Sequence, residues 1–229
     1  MRQIVLDTET TGLEAKDGHR IIEIGAIELI GRRLSDRRLH RYCNPERDSD
    51  PAALAVHGLT RDFLADKPLF AEIIADLIEF ISGAEIVIHN AAFDLSFLDA
   101  EFARLGRPSF ADHCEKVTDS LRLARELHPG KRNSLDALCE RYSVSNRHRT
   151  LHGALLDAGL LAEVYLAMTR GQDSLVMPLA ASAQSQDTTL ASSAELIVLV
   201  ADAQEIAAHE ALLDSIEKDC GAAAVWRAG

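Results

Sequence analysis

Cysteine is scarce in this 229-residue chain, and its spacing is uninformative: Cys43, Cys114, Cys139 and Cys220 are widely scattered. No C-x-x-C pair exists, which argues against both a zinc site and a disulfide framework, and a reducing cytoplasm is the simplest location. No apolar run approaches the length of a membrane span, so no membrane association is expected. The opening "MRQIVLDTET" enters a strand directly, without a signal-peptide pattern. Tryptophan occurs once, at Trp226. Excess positive charge is also missing: the formal net charge is −12, which at first argues against a nucleic-acid partner.

The distribution of that charge changes the argument. From residue 172 onward nine acids face two bases, so the tail holds −7 and the first 171 residues only −5. Bound divalent cations would offset much of the remainder. Basic clusters stand at 31–41 ("GRRLSDRRLHR"), 130–132 ("GKR") and 147–149 ("RHR"). A hydrophobic content of 47% and a charged content of 26% are ordinary globular values. The length suits one domain plus an appendage.

Strand signals come early and helices alternate later. "IVLDTETTGL" begins as a buried strand. "RIIEIGAIELIGRRLSDRRLHRYCNP" predicts two strands joined by a hairpin near Gly31, followed by a loop between Pro45 and Pro51. "FAEIIADLIEFISG" is helical in spacing and stops at Gly83. "EIVIHN" is a second short buried strand, and "FDLSFLDAEFARLG" an amphipathic helix ending at Gly106. "VTDSLRLARELHPG" and "NSLDALCERYSV" predict two more helices. "TLHGALLDAGLLAEVYLAMTRG" predicts a long last one, from about Thr150 to Gly171. This order favours an α/β layer fold with a mixed sheet. After Gly171 the Ala-, Ser-, Gln- and Thr-rich stretch reads as a flexible linker. "LIVLVA" and "DAQEIAAHEALLDSIEKD" then suggest a strand and a helix.

Chemistry concentrates on a few acids. Asp7 and Glu9 alternate on one face of a strand. Two adjacent carboxylates repel, and burial costs each several kcal/mol unless compensated. A hard divalent cation compensates; a simple turn is the other reading. Asp94 follows the second buried strand at a helix start, where a capping acid is also common. His152 and Asp157 lie five residues apart, roughly 140° around a helix, so His152 is expected on the preceding loop or first turn, leaning over Asp157. Several carboxylates with one titratable imidazole form the set used for in-line displacement at phosphorus, with two cations and a general base.

"LDTETTG", "HNAAFD" and "HGALLDA", in that order, resemble the three motifs of the DEDDh 3′→5′ exonucleases. The likeness covers about the first 171 residues. It extends through "RIIEIGAIEL", "VHGLT", "GKRNSLDALC" and "RTLHGALLDA" to the proofreading members that serve bacterial DNA polymerase III. That resemblance implies a ribonuclease H-like fold, a central mixed β-sheet flanked by helices, with a flexible C-terminal tail. It implies two Mg²⁺ or Mn²⁺ ions on Asp7, Glu9, Asp94 and Asp157, with Asp7 bridging both and Asp94 acting partly through water. His152 would be the general base. The backbone near Thr10, with Leu13, would hold the terminal nucleotide, and His57 would contact it, alongside Asp7, Glu9 and Asp157. Ala52 departs from members that carry a glutamate reaching the terminal sugar. The implied organisation is an exonuclease domain at 1–171, a clamp-binding motif and linker at 172–195, and a segment at 196–229 binding the polymerase (alpha) subunit. Gln172, Leu175 and Met177 would be the sliding-clamp anchors, and Trp226 an interface anchor. The substrate would be a DNA 3′ end; a free-standing nuclease trimming RNA or short oligonucleotides is the alternative.

Overall fold

The computed structural model describes residues 1–146, 151–170, 201–221 and 227. Arg2–Thr10 (β1) forms the middle of a five-stranded sheet. Ile21–Ile30 (β2) and Arg33–Tyr42 (β3) form the expected hairpin. The short helices Pro51–His57 (α1) and Arg61–Leu64 (α2) follow. Then come Phe70–Ile81 (α3), Glu85–Ile88 (β4) and Ala91–Arg104 (α4). Lys116–Asp119 (β5), Ser120–Leu127 (α5), Leu135–Tyr142 (α6) and Ala154–Met168 (α7) complete this part. The strand order is β3-β2-β1-β4-β5. The β1–β2 and β2–β3 pairs are antiparallel, while β1–β4 and β4–β5 are parallel.

Alternation along β1 divides the core in two. Ile4 and Leu6 face one side and pack with Phe70, Leu77, Phe97 and Phe102 of α3 and α4. Val5 faces the other, with Leu138 of α6 and Leu161 and Val164 of α7. Each large apolar side chain so buried contributes about 1.5–3 kcal/mol, so the sheet is clamped on both faces. Arg20 and Glu101 add a bidentate bridge at 2.6 and 2.8 Å, tying the loop after β1 to α4.

β1 carries Asp7 and Glu9 near its end and runs to Thr10, with a register shift at Glu9/Thr10. Two elements differ from the sequence expectation. Pro51–His57 is a helix, started by proline in its first turn and closed by Gly58 at φ 70°. The helix expected over 117–130 begins only at Ser120; the preceding residues are β5, an edge strand, and Asp119 caps the helix by accepting from the backbone N–H groups of Leu121 and Arg122.

The chain divides into two compact units, Met1–Met177 and Pro178–Gly229. In the second, Ala203–Cys220 (α8) begins with a reciprocal Asp202–Glu205 capping box and stops at Gly221 in the left-handed region. Arg227 pairs with Glu210, Asp214 and Glu217 of this helix. Gln172, Leu175, Met177, Trp226, the linker and the strand expected in "LIVLVA" lie outside the described residues. Among the described residues no helix is long and apolar enough to cross a membrane.

Candidate active site

Parallel pairing between β1 and β4 covers only Gln3–Val5 against Glu85–Val87. Beyond Val5, β1 continues to Thr10 without β4 beside it. A crevice opens at the carboxyl ends of these two strands, the usual location for a site in such sheets. Asp7, Thr8, Glu9, His89, Phe93, Asp94, Leu135, His152 and Asp157 line a cavity there of about 200 Å³. All four acids and the histidine singled out in the sequence share it.

Each arrives by a different route. Asp7 and Glu9 share the face of β1 that looks toward α7. Thr8 faces the opposite way, and its hydroxyl donates to Asp94 Oδ1 at 2.7 Å. That bond anchors the first turn of α4. The chain enters α4 through Asn90 at φ 67°, a left-handed turn that asparagine tolerates. Burial pushes the Asp94 carboxyl up to about 7, against the lowering effect of the Thr8 hydrogen bond.

Asp157 comes from the first turn of α7, and one glycine lets it approach. Gly25 of β2 lies directly opposite Asp7. A Cβ there would overlap the backbone of Ala154 and Leu155, so the start of α7 rests on bare strand backbone. His152 sits just before this helix, on the loop expected for it. Its Nδ1 lies 3.3 Å from Asp157 Oδ2, and its side chain is 44% exposed. Its backbone N–H donates to Val56 O at 3.1 Å, which ties the loop to the end of α1.

The donor set suits divalent cations. Glu9, His152 and Asp157 offer ligand atoms within 4.8 Å of one another, and Asp7 and Asp94 line the same pocket. Among the described residues no lysine or arginine lines it. A bound cation would favour the charged forms of the carboxylates.

Thr10, Leu13 and His57 stand outside this cavity. The Thr10 hydroxyl donates to Gly12 O, and Leu13 projects into solvent at 77% exposure. His57 is buried at the end of α1, next to Val56, and its Nδ1 accepts from the Leu59 N–H. Burial lowers its pKa, which favours the neutral ring. Ala52 is exposed at the start of α1. Four pocket residues escaped the sequence reading, Thr8, His89, Phe93 and Leu135, although all lie inside the quoted motifs. His89 Nδ1 lies 3.0 Å from Ser120 Oγ, whose hydroxyl reaches Ile88 O.

The exonuclease family model RNase_T matches residues 4–165. The DNA polymerase III subunit epsilon of Escherichia coli is 52% identical, over 99% of this chain and 98% of that one. The subunit of the same name from Rickettsia felis is 43% identical, over 95% and 98%. Among solved structures, exonuclease X in complex with 5′-overhanging duplex DNA is 27% identical, with a TM-score of 0.56 over 73% of this chain and 91% of that one. The nuclease domain of 3′hExo, a DEDDh member bound to rAMP, has a TM-score of 0.63 over 76% and 92% at 18% identity, a likeness of fold. The matched region contains every residue of the pocket, and the half-identical relative aligns from end to end: the chain belongs to the exonuclease family, in the group of DNA polymerase III epsilon subunits, the 3′→5′ proofreading exonucleases.

Proposed function

We propose that this chain removes mismatched 3′-terminal nucleotides from DNA by hydrolysing the last phosphodiester, with two divalent cations, Mg²⁺ or Mn²⁺, held by Asp7, Glu9, Asp94 and Asp157. The observation that carries this reading is the convergence of those carboxylates with His152 in one cavity. When bound, the cations would polarise the phosphate and make the attacking water more acidic. His152 takes the proton from that water. With Nδ1 turned to Asp157, the neutral ring presents its lone pair at Nε2, and its exposure lets the proton pass on to solvent. Asp157 would thus have two tasks: one oxygen orients the base and the other would help hold a cation. Leu13 and His57, which do not line the cavity, would flank the terminal nucleotide.

The test is digestion of a primer with a mismatched 3′ end, with and without Mg²⁺ or Mn²⁺. Release of 5′-mononucleotides, faster from mismatched than matched ends and dependent on the cation, is expected, because unpairing costs least at a mismatch. Equal rates on both ends would leave the free-standing trimming nuclease as the better reading.

The same proposal extends to partners. Residues 196–229 bind the polymerase alpha subunit, Gln172, Leu175 and Met177 bind the sliding clamp, and the assembly works in the cytoplasm. Support comes from the end-to-end alignment with epsilon subunits and from Ile206 and Leu212, large apolar side chains exposed on α8. A tether between exonuclease and polymerase would keep the site near the primer end at high effective concentration. A chain ending at Gly171 should keep its activity on free oligonucleotides yet lose the alpha subunit in a pull-down. Equal retention would place that contact on the catalytic unit.

A further inference from the structure

A second cleft of about 590 Å³ adjoins the metal pocket, lined by His89, Arg125, Lys131, Asn133 and Ser134 among others. His89 lines both cavities, and Ser134 of the cleft precedes Leu135 of the pocket. The two cavities therefore share a wall. Their chemistry is opposite: the pocket collects carboxylates, while the cleft is lined by two cations and no acid.

Those cations are available. Arg125 and Lys131 are exposed, and among the described residues neither forms an ion pair. The nearby acids are otherwise engaged. Asp119 accepts from the backbone N–H groups of Asn90 and Leu121, Glu126 pairs with Arg122 at 3.3 Å, and Asp136 accepts from Asn146 at 3.2 Å. The loop that presents Lys131 is also held in shape. Asn133 donates to the carbonyls of His128 and Lys131 and accepts from Arg141 at 3.0 Å. Ser134 caps α6 by accepting from Ala137 N–H. In a chain of net charge −12, two unpaired cations on a braced loop and helix beside a hydrolytic pocket form a local exception.

We propose that this cleft binds backbone phosphates of the strand being degraded, upstream of its scissile bond, with Arg125 and Lys131 as the contacts. The proposal rests on the nuclease reading of the adjoining pocket. Such contacts position the strand without reading its sequence. They also supply the attraction that the acidic chain otherwise lacks.

The test uses the full chain and two substrates. A single-stranded oligodeoxynucleotide spans pocket and cleft, whereas the p-nitrophenyl ester of thymidine 5′-monophosphate reaches the pocket alone. The Arg125→Glu/Lys131→Glu variant should raise KM for the oligonucleotide by roughly tenfold or more at low salt. It should also lower the salt slope by about 1.4, at about 0.7 for each phosphate of a single strand left without its cation. Ester hydrolysis should be unchanged, and Arg125→Lys/Lys131→Arg should behave as the parent. An unchanged KM and salt slope would overturn the proposal. So would an equal fall in rate on both substrates, because the residues would then act through the pocket and not the strand. A parent chain that cleaves neither substrate would instead refute the nuclease reading, a failure visible before any variant is made.

Discussion

The two sides of the catalytic pocket are built differently. On one side Asp7 and Glu9 project from the central strand of the sheet, and Asp94 and Asp157 from first turns of helices packed against it. Asp94 and Asp157 are each 3% exposed. On the other side His152 stands on a loop, half in solvent, with a backbone hydrogen bond to Val56 and a contact with Asp157. Groups that hold cations need fixed spacing, and regular structure supplies it. A group that moves protons must reach both substrate and water, and a loop at the rim supplies that. Under the proposed roles, the pocket separates ligation from proton transfer by the kind of backbone that carries each.

That separation can be broken from either side. Asp7→Ala should have the largest effect, a loss of roughly 10³-fold or more in kcat, because it removes a central charge from the site that stabilises the transition state; near-normal turnover in excess chelator would remove the metal assignment. His152→Ala should lose about 10²-fold or more and should also lose the acidic limb of the pH–rate profile, while calorimetry still shows metal binding. A variant that keeps the parental profile would move the general base elsewhere.

Gly25→Ala tests the seating of α7 without touching any charged group. Overpacking of this kind costs ~1–3 kcal/mol, so its denaturation midpoint should fall. Activity should fall further than stability explains, through a displaced Asp157. Unchanged turnover would show that the helix can shift without harm.

The smallest effect is expected at the other end of the strands. Glu85 is as buried as Asp94, yet its fate is opposite. Burial alone would raise its carboxyl, but hydrogen bonds from Thr118, Gln3 and Lys116 hold it below the ordinary 4.5. A depressed carboxylate contributes stability that is present above the unfolded value and is lost as pH falls through the folded one. Glu85→Gln should thus flatten the decline of stability below pH 4.5, whether or not metal is present. Urea titrations at about pH 7 and about pH 3 measure it; an acid limb as steep as the parent's would assign that decline to other groups.

The acids were legible because carboxylates at strand ends and helix starts announce themselves, and the order of the three motifs is specific. The hairpin and most helices were legible from period and glycine stops. β5 was not, because Lys116–Asp119 holds one apolar residue, Val117, and runs straight into α5. An edge strand with so little apolar side chain leaves almost no periodic signal. α1 had its signals, Asp50 and Pro51 at the start and Gly58 at the end, but its seven residues bury only His57. Thr8 was hidden by alternation: it points away from Asp7 and Glu9, and only the packing of α4 makes it a partner of Asp94. Gly25 could not be read at all, since nothing local marks a strand glycine as the seat of a helix far along the chain.

That glycine has a consequence for genetics. A screen scored by mutation rate finds positions whose loss lets replication errors survive. It would return Gly25 beside Asp7 and Asp157, although Gly25 has no side chain to bind metal, base or phosphate. The inheritance of accurate copying would then depend, at this position, on the absence of a single methyl group.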